Sequence, residues 1–154
     1  MFFDLTMNNS KKVYLCFITT DAEKEAMEIY EDRVKNNLWP IYHRTNQFRK
    51  VLKDVKVIFY LAGNGSSSQH FIGTATIEKI IEKFEDLNVN TSNVKFFVKF
   101  KDIKKFENFI FIKDVLNELD FINIKEKYGL TFQGGVTEVD EKSYELIVKK
   151  TKIK

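Results

Sequence analysis

The chain is 154 residues long, which is the length of one domain. Its 44% hydrophobic and 31% charged residues, with six Gly and one Pro, exclude a mainly disordered or collagen-like chain, and no apolar run approaches the ~20 residues of a membrane-spanning helix. The net charge of +3 is too mild to name a partner, but it is segregated: Asp21 to Asp32 is acidic, whereas His43 to Lys56, Lys95 to Lys113 and Lys149 to Lys154 are basic, a distribution that can present one positive face to phosphate.

In chain order, residues 1–11 show no pattern and are expected to fray, leaving 12–150 as the domain. Lys12 to Thr19 is aromatic and β-rich and reads as a buried strand. It carries the only cysteine, Cys16, expected to be a small buried hydrophobe. Thr20 and Glu23 have capping-box spacing, so a helix is expected from about Asp21, with Ala22, Ala26, Met27, Tyr30 and Val34 as its apolar stripe. Asn36-Asn37 and then Pro40 end it. Pro40 also pushes Trp39 into extended backbone, so Trp39 to Tyr42 is a short extended segment, followed by a basic turn or short helix over Asn46 to Leu52.

Val55 to Gly63 and Gln69 to Ile77 read as a hairpin around Asn64-Gly65-Ser66-Ser67-Ser68. Glu78 to Leu87 reads as helical or irregular. Val94 to Asp102 alternates as a half-buried strand, with Val94, Phe96, Val98 and Phe100 inward and lysines outward. Phe106 to Ile112 is a further strand, Asp114 to Leu119 a short helix and Tyr128 to Gly135 a loop. Asp140 caps a final helix over Glu141 to Lys150. About five strands and two or three helices without a strand-helix-strand rhythm predict an α+β fold, a small, mostly antiparallel barrel or curled sheet with flanking helices.

No phosphate-loop, dinucleotide, nucleophile-elbow or zinc-binding motif occurs, and no Cys/His/Asp cluster has metal-ligand spacing. The balance moves from catalysis toward binding, with no cofactor or metal expected. The N-terminus lacks the features of a secretory signal, and with one cysteine the expectation is a cytoplasmic protein. The remaining constellation is Trp39-Pro40-Ile41-Tyr42-His43-Arg44-Thr45-Asn46. A nucleobase needs an aromatic face, which Trp39 or Tyr42 supplies, and edge partners, which Arg44, Asn46 and Gln47 supply.

Trp39, Arg44 and Asn46, then Phe59-Tyr60-Leu61-Ala62-Gly63, then Phe71-Ile72-Gly73-Thr74-Ala75 together resemble the EVE domain family of the PUA-like superfamily. Phe121-Ile122, Tyr128-Gly129 and Asp140 to Tyr144 extend the likeness, which runs from about Lys12 to Val148. Three features depart from the family: Asp54-Val55 replaces its usual Gly-Asp turn, Ser66 to Ser68 lengthens the hairpin, and Tyr128 stands for a Trp. The resemblance implies a PUA-like barrel that captures one modified nucleobase, in DNA or, as the alternative, in RNA. Carried over, the base pocket comprises Thr19, Thr20, Trp39, Pro40, Tyr42, Arg44 and Asn46, with Phe132 in the loop that closes it. Arg44, Arg49, Lys50 and Lys53 are expected at phosphate. A small nucleoside-processing enzyme is a further alternative, with His43, Lys53 and Asp54 as its only local candidates.

Overall fold

The computed structural model describes residues 12–152; the tail expected over 1–11 lies outside them. Among the described residues one curled sheet has six strands: β1 (Tyr14–Thr19), β2 (Trp39–Tyr42), β3 (Lys56–Leu61), β4 (His70–Ile81), β5 (Val94–Phe111) and β6 (Val136–Val139). Their spatial order is β2-β5-β4-β3-β1-β6. Only β1 and β3 pair in parallel, from Tyr14 opposite Lys56 to Thr19 opposite Leu61; every other neighbour is antiparallel. Helices α1 (Ala26–Asn36), α2 (Ile112–Val115) and α3 (Glu141–Thr151) flank it. The expected α+β architecture with a curled, mostly antiparallel sheet is the one found.

The central pair β1 and β3 is buried on both faces, which is why both read as continuous apolar runs. Leu15, Phe17, Val57, Phe59 and Leu61 face the inside of the curl with Ala26 and Tyr30 of α1. Tyr14, Cys16, Ile18, Ile58 and Tyr60 face the other side, under α2 and Ile147 of α3. An aromatic cluster fills the inside: Trp39 stacks on Phe59 at 5.2 Å and meets Phe17, Tyr30 and Phe100 edge-on.

Four local expectations are corrected. Helix α1 starts at Ala26 rather than near Asp21, because Asp21 acts from a distance: Oδ1 accepts from the Ala26 N–H and Oδ2 from the Asn64 N–H. The Thr20/Glu23 box does not form the start, and the cap position is Glu25 without a side-chain bond. β4 runs on to Ile81, where a helical or irregular stretch was expected. The two strands expected between Val94 and Ile112 are one, β5, which passes through Asp102 at a left-handed φ of 54° and stays paired with β4 across register shifts. Gly73 sits at this irregular pairing, where a Cβ would lie 2.4 Å from the Lys104 carbonyl oxygen. Finally, the Tyr128 to Gly135 loop is partly a 3-10 segment, Lys125–Phe132, that leads into the unforeseen edge strand β6. Asp140 caps α3 as expected, its Oδ2 accepting from the Ser143 N–H.

Candidate functional site

The curl leaves a seam between its two edges, β2 and β6. The loop after β2 and the loop before β6 meet there: the Asn46 N–H donates to the Gly134 carbonyl at 2.9 Å. On the far side the Ile18 N–H of β1 donates to the Gly135 carbonyl, also at 2.9 Å. Asn46 presses so closely on Gly134 that a Cβ there would fall 2.0 Å from its amide nitrogen, so this position accepts only glycine without displacing Asn46. Beside this fastening lies a cleft in two connected parts that share Tyr42, Thr45 and Gly135. The outer part, about 460 Å³, also has His43, Arg44, Asn93 and Gln133 in its wall. The inner part, about 220 Å³, reaches Thr19, Thr20, Arg33, Trp39 and Pro40.

Thr19, Thr20, Trp39, Pro40, Tyr42 and Arg44, expected in one pocket, therefore line one cleft. The Thr19 hydroxyl is buried and donates to the Ala26 carbonyl at 3.0 Å, so toward the cleft it can only accept. Trp39 borders the inner part but is only 2% exposed. Phe59 stacks against its ring, and the Arg33 guanidinium sits over the ring, 5.0 Å from its centroid. Tyr42, 38% exposed, is the accessible aromatic.

The other expected residues are dispersed. Asn46 serves the seam rather than the wall. Phe132 lies on the opposite face of the sheet, stacked on Tyr60 with centroids 3.9 Å apart, so it does not close the cleft. The 3-10 turn Phe48–Lys50 carries Arg49 against the Phe48 ring, which Lys95 also covers. Lys50 is paired with Glu138. Lys53 and Asp54 line a separate depression with Tyr14 and Lys56, and Asp54 pairs with Lys101 at 3.1 Å. Of the three residues named for an enzyme, only His43 is in the cleft wall.

Arg33 is the residue the sequence reading missed. It lies on α1 three residues after Tyr30, at the border of the apolar stripe, and a cation in that position was the available signal. It is half-buried and in no ion pair among the described residues. Burial lowers its pKa, while the neighbouring Tyr42 phenol works against that shift; a guanidinium keeps its charge regardless. Among the described residues, two guanidinium groups and no carboxylate thus line the cleft.

No family model matches the chain, and none of the curated proteins compared with it does. Solved structures do. The N-terminal domain of McrB from Staphylothermus marinus superposes with a TM-score of 0.61 and 13% identity, over 91% of this chain and 94% of that one. Human THYN1, solved in complex with DNA containing 5-methylcytosine, superposes with a TM-score of 0.59 and 12% identity, over 92% and 99%. The YTH domain of Zygosaccharomyces rouxii MRB1, solved with N6-methyladenosine RNA, gives 0.59 and 14%, over 93% and 88%. The chain has a PUA-like fold. At these identities the likeness is one of fold, and the residues of the cleft carry the functional argument.

Proposed function

We propose that this chain is a nucleic-acid-binding module that takes one modified nucleobase into the seam cleft, with DNA as the first candidate. The observation that carries the reading is the wall: two guanidiniums, three threonines, an accessible tyrosine and, among the described residues, no acid, around a cleft whose inner part, about 220 Å³, suits a single base. The planar Arg33 fork has donors for a base carbonyl or ring nitrogen and a flat face for stacking. Trp39 supports Arg33 by cation–π contact rather than stacking on the base itself. Thr19 offers an acceptor to a base amino group. Arg44 at the mouth and Arg49 beyond it are suited to flanking phosphates, and Lys50, already paired, is not. In a duplex the base must be flipped out, at a cost of a few kcal/mol that a single strand avoids.

Support for a base as ligand also comes from fold relatives solved with 5-methylcytosine DNA and N6-methyladenosine RNA. The second of these keeps an RNA-binding reading in view. The test is a fluorescence-anisotropy panel of DNA and RNA oligonucleotides, single- and double-stranded, plain or carrying methylated cytosine or adenine, at two salt concentrations. The expectation is at least ~10-fold preference for one modified strand, weakened ~10-fold or more by Arg33→Gln. Arg44→Ala should weaken all strands alike and lower the salt slope by about one. Equal affinity for plain and modified strands, or an Arg33→Gln variant that binds like the wild type, rejects the reading.

A further inference from the structure

The outer part of the cleft, about 460 Å³ against about 220 Å³ for the inner part, has more room than a phosphate contact alone requires. Its wall draws on chain beside both edges of the seam: Tyr42 ends β2, Arg44 lies in the loop after it, Asn93 precedes β5 and Gln133 precedes β6. The Tyr42 side chain lines both parts, is 38% exposed and stacks on no other ring among the described residues, so its face is not used up within the fold. The backbone that carries it is fixed: the Tyr42 N–H donates to the Thr45 hydroxyl at 2.9 Å, and the Thr45 N–H donates to the Tyr42 carbonyl at 3.0 Å. Two side-chain amides face the same space. Asn37, Gln69 and Asn90 use their amides in hydrogen bonds within the fold, whereas Asn93 and Gln133 are exposed and, among the described residues, unbonded at the side chain. Their backbones are nevertheless held. Asn93 stands in left-handed backbone, φ 63°, and its carbonyl accepts from the His43 N–H at 3.1 Å. The Gln133 N–H donates to the Leu130 carbonyl at 3.4 Å.

We propose that the outer part is a second subsite, which takes the nucleotide next to the captured base, stacks that neighbour's base on Tyr42 and reads its edge with the amides of Asn93 and Gln133. This rests on the reading of the cleft as a base-binding site, and it adds sequence context to that site's choice of base. The two parts share Tyr42, Thr45 and Gly135, so consecutive nucleotides of one strand can occupy them together. Stacking on a tyrosine tolerates every base, because every base has a flat face. Identity therefore has to come from the edge. A side-chain amide presents a donor and an acceptor side by side, which is the complement of the amino group and ring nitrogen on the major-groove edge of adenine. Adenine is thus the expected neighbour. Arg44, in the same wall, suits the phosphate that joins the two nucleotides.

The test uses the full chain and fluorescence anisotropy with two sets of single-stranded DNA, one carrying a single 5-methylcytosine and the other a single N6-methyladenine. In each set the nucleotide on either side of the modified base is varied through the four bases and an abasic residue. In the set preferred over its plain counterpart, adenine on one side should bind ~5-fold or more tighter than a pyrimidine there. Asn93→Ala and Gln133→Ala should each shrink that neighbour preference while holding the modified-to-plain ratio within ~2-fold of the wild type; Arg33→Gln should lower the modified-to-plain ratio instead. An abasic neighbour and Tyr42→Ala should each weaken binding ~10-fold, and together hardly more than either alone, because both remove one stacking contact. The abasic strands read that contact in the wild type, so the test stands even if Tyr42→Ala misfolds. Equal affinity for modified and plain strands in both sets rejects the captured base and this subsite together. A preference for a modified base with all four neighbours within ~2-fold on both sides, a neighbour preference that survives in both amide variants, or additive losses from the abasic residue and Tyr42→Ala, overturns the subsite alone.

Discussion

Replacing Trp39 by alanine should destabilise the fold, which separates its role from that of an exposed stacking platform. The indole is 2% exposed and contacts four aromatic rings at centroid distances from 5.2 to 6.3 Å. Trp→Ala in such a position costs about 3–5 kcal/mol, a large share of the ~5–15 kcal/mol that a domain commands. With a urea m-value of ~2 kcal/mol per M, the midpoint should fall by ~1.5–2.5 M. Circular dichroism is the suitable probe, since Trp39 is the only tryptophan and its fluorescence disappears with it. In the wild type that same fluorescence should be blue-shifted and poorly quenched by iodide, and should shift red on unfolding. Trp39→Phe, which keeps a ring on Phe59, should recover most of the loss. A Trp39→Ala variant within ~1 kcal/mol of the wild type would refute the packing argument and return the indole to the ligand.

Two further outcomes follow from buried titrating groups. Cys16 is fully buried on the α3 face, and burial pushes its thiol well above the usual range; it should resist iodoacetamide in the native protein and react at once in denaturant, and fast native labelling would contradict its placement. Burial, with Glu31 nearby, raises the Tyr30 phenol to about 12. A phenol raised in the folded state contributes stability that is complete below its unfolded pKa near ~10 and is lost as pH climbs through the folded value. Urea midpoints should therefore be flat up to about pH 10 and fall between about pH 10 and 12, and Tyr30→Phe should flatten part of that fall; an unchanged slope in the variant would count against the assignment.

The parts legible in the sequence are those decided by local pattern. β1 and β3 announce themselves as apolar runs because both faces are covered, and α3 because Asp140 caps it from the adjacent position. The misread parts depend on distant chain. Asp21 takes its second partner from Asn64, across the β3–β4 hairpin, and this displaces the start of α1. β5 stays continuous through Asp102 because β4 pairs with it on both sides of the irregularity. β6 has four residues and exists through its pairing with β1. Trp39, Tyr42 and Arg44 were legible as a cluster because they are neighbours in the chain. Arg33 was not, because its place depends on how α1 lies over the inside of the curl.

The seam explains why the candidate site draws on residues so far apart. A closed barrel would pair β2 with β6 and leave no cleft; an open sheet would expose two strand edges to association with other chains. Here both edges are four residues long, and the contact that fastens them is between loops, at Asn46 and Gly134. The gap beside that contact is bordered by backbone and side chains from the ends of β1 and β2, from the loop before β5 at Asn93 and from the loop before β6. Substitution at Thr20, Arg44, Asn93 or Gln133 can change what enters without altering the aromatic cluster beneath, because these side chains are exposed and that cluster is not. Trp39 and Arg33 are the exception: one is core and the other is held against it, so the inner end of the cleft is as rigid as the fold itself. A flat ligand that reaches Arg33 would thus meet a preset guanidinium, while its flanking groups would meet a mouth that can vary, and that division is what the proposed base-binding role requires.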